Sequence, residues 1–233
     1  MKSSKTITKA FILSLPVLSG YIVIGFGFGV LLEKQGYGPL WALAMSVLIY
    51  AGSMQYVAID LLAGAASLIT TAVTTILVNA RHLFYGISVL DLYKDAGAKK
   101  PYMIFALTDE TYSIVCGKDV REDPDSTSLI FFLSLFNHCY WVTGSVLGAL
   151  LGPVLPFNTA GIEFSMTALF IASCTEMWRD PHNRVPVLTG LIVSVICRLL
   201  FGSGSFLIPS VIIISLCLIL FSKLPVRKEG DPS

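Results

Sequence analysis

The stretch SLITTAVTTILVNARHLFYGI, from Ser67 to Ile87, decides what kind of molecule this is. Ser67, Thr71, Thr75, Asn79, His82 and Gly86 recur at steps of four and three, which at about 100° per residue keeps them on one face of a helix. Thr70, Thr74, Arg81 and Tyr85 widen that polar face, and Ile69, Val73, Ile76, Ala80, Leu83, Phe84 and Ile87 form an apolar stripe opposite. The segment is about as long as a bilayer-crossing helix, so the spacing predicts a helix that is amphipathic within a membrane. Threonines that bond back to their own helix carbonyls account for most of the polar face. Arg81 and His82 require more, because an ionisable group in hydrocarbon costs several kcal/mol without a partner or water.

The rest of the chain agrees with a membrane setting. Of 233 residues, 55% are hydrophobic and 13% are charged, and the mean hydropathy is +0.76. Soluble domains carry about 25% charged residues. A net charge of +1 gives no electrostatic case for nucleic-acid binding. The five cysteines lie in or beside apolar stretches and form no C-x-x-C pair, which excludes a disulfide framework or zinc knuckle.

Apolar segments run over Phe11 to Leu32, Leu40 to Ala66, Ser67 to Leu90, Pro101 to Cys116, Leu129 to Leu151, Ile162 to Trp178, Val185 to Phe201 and Phe206 to Phe221. This predicts an all-α, polytopic integral membrane protein with seven or eight hydrophobic helical segments, at about 20 residues per span. The first segment is too long for a signal h-region and is read as a retained span. Its Pro16 and its Gly20, Gly25, Gly27 and Gly29 predict a kinked helix with a flat packing face. Lys2, Lys5 and Lys9 at one terminus and Lys223, Arg227 and Lys228 at the other place both ends in the cytoplasm. Eight crossings then leave Lys94, Lys99 and Lys100 outside, against the rule. The count falls to six or seven if the Pro101 segment does not cross or an earlier segment is re-entrant.

A duplication within a single transmembrane domain covering residues 1–233 is suggested by three matches in one order. The stretch from Phe11 resembles that from Phe131, IYAGSMQYV from Ile49 can be laid on FIASCTEMW from Phe170, and ARHLFYG from Ala80 on CRLLFG from Cys197. Repeats of about 11–117 and 131–222 follow, although apolar segments also align by chance. Repeated halves would put a substrate site between them, near mid-membrane.

Intramembrane ionisable residues mark a pathway, and here they are Asp60, Arg81, His82, Asp109, Glu110, Glu163, Glu176 and Arg198. Ala51-Gly52-Ser53, before Gln55, interrupts the second segment. A broken helix there exposes backbone N–H groups and a positive dipole end to a carboxylate; close helix packing of small residues is the competing account. In FALTDETYS, Phe105 to Ser113, one of the adjacent acids Asp109 and Glu110 pairs with Arg81 or Arg198, and the other takes an ammonium group or a proton. An interfacial position facing water is the alternative. Glu163 and Thr167, four apart after Gly161, serve as a dipole partner or a site group.

The stretches IYAGSMQYVAIDLLAGAASL, LVNARHLFYGISVL, FALTDETYS and EFSMTALFI match in order and spacing the A-G-S-x-Q-[FY], N-x-R-H, T-D-E and [DE]-F-x-x-T-A patterns of one family. The sequence resembles the AzlC-like (azaleucine-resistance) branched-chain amino acid permeases. The resemblance implies a cell-membrane transporter that exports valine, leucine and isoleucine with a small hydrophobic AzlD-like partner. Glu163 stands where many relatives carry Asp. On this reading Gly52, Ser53 and Gln55 with Arg81 meet the substrate carboxylate, Asp109, Glu110 or Glu163 meets its ammonium, and Asn79 and Thr167 are also at the substrate. His82, Asp109 and Glu110 carry protons. No cofactor is expected, and no P-loop is present for direct use of ATP. An intramembrane enzyme built on His82, His138 and His182 lacks H-E-x-x-H and G-x-S-x-G signatures. A channel-like or accessory subunit is the remaining alternative.

Overall fold

The computed structural model describes residues 2–154 and 184–202, with single positions between 164 and 179 and between 206 and 220. Glu163, Thr167, Glu176, His182 and most of two expected spans, 162–178 and 206–221, lie outside the described residues, as does most of the second copy of the duplication. All regular structure among the described residues is helical. The chain forms two compact units, residues 1–166 and 167–233.

In the first unit, α1 (Lys2–Lys34) and α9 (Ser126–Leu151) form the axis. Both are long and apolar enough to cross a membrane. They run parallel, because contacts climb both helices together. Thr6 Oγ1 donates to Asp125 Oδ2 at 3.0 Å, the Phe11 and Phe136 rings meet at 5.6 Å, and Ser14 Oγ lies 2.9 Å from Tyr140 Oη. Further along, Gly25 faces the Trp141 carbonyl and Gly29 the backbone of Ser145 to Ala149, while Gly144 and Gly148 face the backbone of Tyr21 to Phe26. Each helix thus carries a G-x-x-x-G pair whose missing side chains let the two backbones touch, which is how helices associate where lipid removes the hydrophobic drive. The flat glycine face of α1 is a packing face, as expected. Pro16 lies inside α1, and the Ser14 and Ser19 hydroxyls donate to the nearby carbonyls of Phe11 and Pro16.

Between these helices the chain makes two hairpins and one traverse. After a turn through Gly36, which holds φ +85°, α2 (Pro39–Leu48) starts beside the C-terminal end of α1 and descends to His138, whose ring reaches the Ser46 carbonyl. The chain breaks at Ile49 to Ala51, and α3 (Gly52–Ala63) climbs back until Asp60 shares a recess with Lys34 and Gln35. A break therefore exists, slightly before the expected Ala51-Gly52-Ser53, with Gly52 and Ser53 opening α3, and it reverses the chain. Next, α4 (Leu68–Asn79) and α5 (Arg81–Val89), separated by Ala80, carry the chain to the other end. There Val89 and Tyr93 pack with Ala10, Leu129 and Ile130.

A second hairpin enters from that end. Lys99 Nζ donates to Ser128 at the start of α9, α6 (Lys100–Phe105) rises to put Phe105 beside His138, and the chain breaks again at Ala106 to Thr108. α7 (Asp109–Val115) and the short α8 (Lys118–Arg121) return to the level where Lys9 Nζ donates to the Asp119 carbonyl. The segments expected to cross at 40–66 and 101–116 thus each turn back halfway.

That geometry removes the charge conflict. Within this unit Lys5, Lys9, Lys94, Lys99, Lys100, Lys118 and Arg121 all sit at the N-terminal end of the α1–α9 pair, and Lys34 alone sits at the other. On the apolar side of α4 and α5, Ile69, Ile76 and Ile87 are each more than half accessible, as on a lipid face. On the polar side Thr71 and Thr75 donate to the carbonyls of Ser67 and Thr71, and Ser67 caps α4 by accepting from the Thr70 N–H. The packing account of these threonines holds.

In the second unit, α10 (Arg184–Phe201) is again long and apolar enough to cross a membrane. Cys197 is its one buried residue. Arg198 stacks its guanidinium 5.9 Å from the Phe206 ring centre.

Candidate functional site

The tips of the two hairpins meet beside the middle of α1 and α9, and this is where polar groups collect inside an apolar setting. α3 begins there at Gly52. A methyl group on Gly52 would stand 2.9 Å from the tip of the Trp141 ring, so only glycine lets the helix start against that indole. Trp141 Nε1 donates to Gln55 Oε1 at 2.9 Å, and Gln55 Nε2 donates to Ser46 Oγ at 3.2 Å. Gln55 is fully buried, and its amide clamps the two arms of the first hairpin to α9. Ser53 is buried in the same first turn. No side chain caps α3 and no acid lies in its first turn, so nothing within the helix offsets its positive dipole end.

α7 begins in the opposite manner. Thr108 is its N-cap, accepting from the Thr111 N–H, and Asp109 and Glu110 occupy its first turn, where negative charge offsets the helix dipole. Tyr21 of α1 joins the two tips. Its hydroxyl lies 2.6 Å from Thr108 Oγ1 and donates to Glu110 Oε2 at 2.7 Å, while its ring meets Trp141 edge-on at 5.6 Å. Asn137 Nδ2 of α9 donates to Thr111 Oγ1 at 2.9 Å, which ties α7 to α9. One uncapped helix start and one acid-bearing helix start therefore approach each other across Tyr21 and Trp141.

Tyr50 occupies the first tip with φ +43°, a left-handed conformation that is uncommon outside glycine. Its ring lies 4.2 Å from that of His138 and 6.2 Å from that of Phe105 on the second hairpin. Its hydroxyl is buried beside those of Tyr21 and Thr108, but none of these contacts has the geometry of an ordinary hydrogen bond. Strain and an unsatisfied hydroxyl at the same residue are features that collect at functional sites.

The sequence-selected residues divide into groups. Gly52, Ser53 and Gln55 come together with Asp109 and Glu110 around Tyr21 and Trp141. Asn79, Arg81 and His82 lie on the traverse, at the join of α4 and α5. His82 Nδ1 lies 3.2 Å from the Asn79 carbonyl, and the His82 ring meets Tyr85, which stacks at 4.6 Å on Tyr112 of α7. That stack links His82 to the acid-bearing helix. The side chain of Arg81, like Glu163 and Thr167, lies outside the described set. Sequence reasoning passed over Tyr21, Tyr50, Thr108, Asn137 and Trp141 as site residues. Thr108-Asp109-Glu110 carried a readable signal, since a threonine followed by acids marks a helix start in mid-segment. Asn137-His138, a polar pair in the middle of an apolar span, was another.

Parallel helices long enough to cross a membrane and two opposed half-helix pairs whose tips carry the polar groups define a polytopic helical membrane protein with a polar cluster inside the bundle. The model of the AzlC protein family matches residues 16–155, which contain both hairpins. The branched-chain amino acid transport protein AzlC of Bacillus subtilis (strain 168) is 40% identical over 205 residues, covering 88% of this chain and 81% of the relative. An uncharacterized membrane protein of Helicobacter pylori (strain ATCC 700392 / 26695) is 40% identical over 219 residues, 94% of this chain and 96% of the relative. Inner membrane protein YgaZ of Escherichia coli (strain K12) is 32% identical over 166 residues, 68% of each chain. The chain belongs to the AzlC family. No solved structure matches it.

Proposed function

We propose that this protein is a cell-membrane transporter that exports branched-chain amino acids, coupled to the proton gradient and acting with a small AzlD-like membrane subunit. The carrying observation is the pairing of the uncapped start of α3 with the acid-bearing start of α7 at mid-bundle. An amino acid is a zwitterion with its charges on one carbon. Its carboxylate suits the start of α3 at Gly52 and Ser53, where the dipole is positive and no side chain caps the helix. Its ammonium suits Glu110 and Asp109. Arg81, Asn79, Glu163 and Thr167 belong to the same reading as further groups toward the substrate, and His82 with the two acids as proton-bearing groups. The Bacillus subtilis relative, a branched-chain amino acid transport protein, favours the same substrate class.

The side chain would lie among the rings and methyl groups at the tips, including Phe105 and Ala106. Apolar contact separates substrates differing by one methylene by only about 1–3 kcal/mol, so valine, leucine and isoleucine compete. The clustering of lysine and arginine at the N-terminal end of the α1–α9 pair supports a cytoplasmic N-terminus, with the first hairpin entering from outside and the second from inside.

Counterflow of labelled valine through purified protein in liposomes, with and without the AzlD-like subunit, tests the reading. Trans-stimulated uptake suppressed by leucine and isoleucine is the expected result. Absence of counterflow in both preparations refutes it, and counterflow that needs the subunit assigns the pathway to the pair.

A further inference from the structure

His138 has both ring nitrogens committed to opposite hairpins. Nε2 lies 3.1 Å from the Ser46 carbonyl on α2, and Nδ1 lies 3.0 Å from Tyr102 Oη on α6. A carbonyl only accepts, so Nε2 carries a proton; in the neutral ring Nδ1 then accepts from the Tyr102 hydroxyl. The ring faces also bridge, at 4.2 Å to Tyr50 of the first tip and 5.8 Å to Phe105 of the second. α9 therefore holds the hairpins together through one titratable side chain.

We propose that His138 is a proton-binding residue of the transport cycle and that its protonation state sets whether the two hairpin tips stay joined. A proton taken up at Nδ1 turns that atom from acceptor to donor. The Tyr102 hydroxyl must then rotate to accept, and its own hydrogen is left to find another acceptor, which weakens the tie to α6. The bond to the Ser46 carbonyl persists, and the imidazolium gains from the face of Tyr50. Facing the ring are Tyr50 from the first hairpin and Tyr102 from the second, with Cys139 next to it on α9. Tyr21 of α1 and Glu110 of α7 lie one layer further, on the far side of Tyr50. Glu110 is the anion of that set. A protonated His138 and a substrate ammonium therefore draw on the same negative charge, and occupancy by one disfavours the other. Such competition exchanges a proton moving inward for an amino acid moving outward.

The inference rests on the transport reading above, and the experiment separates the two. His138→Gln keeps both bonds, since an amide N–H can donate to Ser46 and an amide oxygen can accept from Tyr102, but it cannot titrate. In liposomes, valine counterflow by this variant is expected within about twofold of wild type, while valine movement driven by an imposed pH gradient falls about tenfold or more. Gradient-driven transport at the wild-type level would overturn the inference. Should the glutamine variant not reach the membrane, Tyr102→Phe serves. The neutral ring then loses the bond it accepted, and the pH midpoint of exchange moves upward; an unmoved midpoint overturns the inference. Should wild type show no counterflow, the transport reading fails instead. The ring can still be followed by nitrogen NMR of histidine-labelled protein between about pH 5 and 8. A titrating signal missing from His138→Gln supports proton binding, and a ring that stays neutral to the acid end overturns it.

Discussion

At the residue scale, close approach and charge decide what each position tolerates. Gly52 was legible as a break, and its use is to admit the Trp141 ring. Gly52→Leu should displace that indole, break its bond to Gln55 and abolish valine counterflow, with a shift in tryptophan emission reporting the movement. An unchanged spectrum with normal transport would show that the tip repacks freely. Arg81 is argued from sequence, as a cation in the traverse. Arg81→Ala should leave the protein in the membrane and lower counterflow by about 100-fold or more, and Arg81→Lys should fail as well where the guanidinium makes two parallel bonds to a carboxylate. Full activity of the lysine variant would remove the bidentate role.

At the element scale, the parallel contact of α1 and α9 is the feature on which both hairpins lean. A side chain at Gly148 would enter the backbone of Phe26, and backbone cannot rotate aside as a side chain can. Gly148→Leu should therefore separate the helices at a cost at or above the roughly 1–3 kcal/mol typical of overpacking. Thermal unfolding in detergent, read beside expression, measures this, and wild-type stability would contradict the close contact.

The ends of the same helices are tied electrostatically. Lys9 donates to Asp123 and, with the Asp125 N–H, holds the Asp123 carboxyl below the usual carboxylate range. A depressed folded value stabilises the fold above the unfolded pKa of about 3.9 and loses that contribution as pH falls through the folded value. The stability advantage of wild type over Asp123→Asn should accordingly be constant near neutrality and vanish only under acid.

At the scale of the whole molecule, coupling and orientation are the questions. Asp109 and Glu110 begin a helix that faces the middle of the bundle, so each neutral variant tests them separately. Glu110→Gln and Asp109→Asn should reduce gradient-driven valine transport, and the one that spares counterflow marks the acid needed for coupling. If both keep wild-type gradient-driven transport, neither acid takes part, the competition with His138 for the Glu110 charge falls with them, and His82 becomes the next residue to test. An accessibility scan should find cysteines introduced at Lys34 and at Lys99 labelled from opposite sides of the membrane. Labelling of both from one side would contradict the hairpin arrangement.

Composition and the four-residue polar spacing from Ser67 were enough to establish an all-helical membrane protein, because lipid forces backbone groups to pair within each segment and leaves few other solutions. The residues of the tips were legible too: Gly52 by its lack of a side chain, Asp109 and Glu110 by the cost of charge in hydrocarbon. What the sequence left open was whether the segments at 40–66 and 101–116 cross or turn back. Hydropathy reads the length of an apolar stretch and not its direction, so a half-crossing pair of short helices looks like one span. Direction is set by contacts far apart in sequence, Lys99 with Ser128, Ser46 with His138 and Asp60 beside Lys34. Those same long-range contacts, and no local pattern, bring the start of α3 to the start of α7 across Tyr21 and Trp141 and place His138 between α2 and α6.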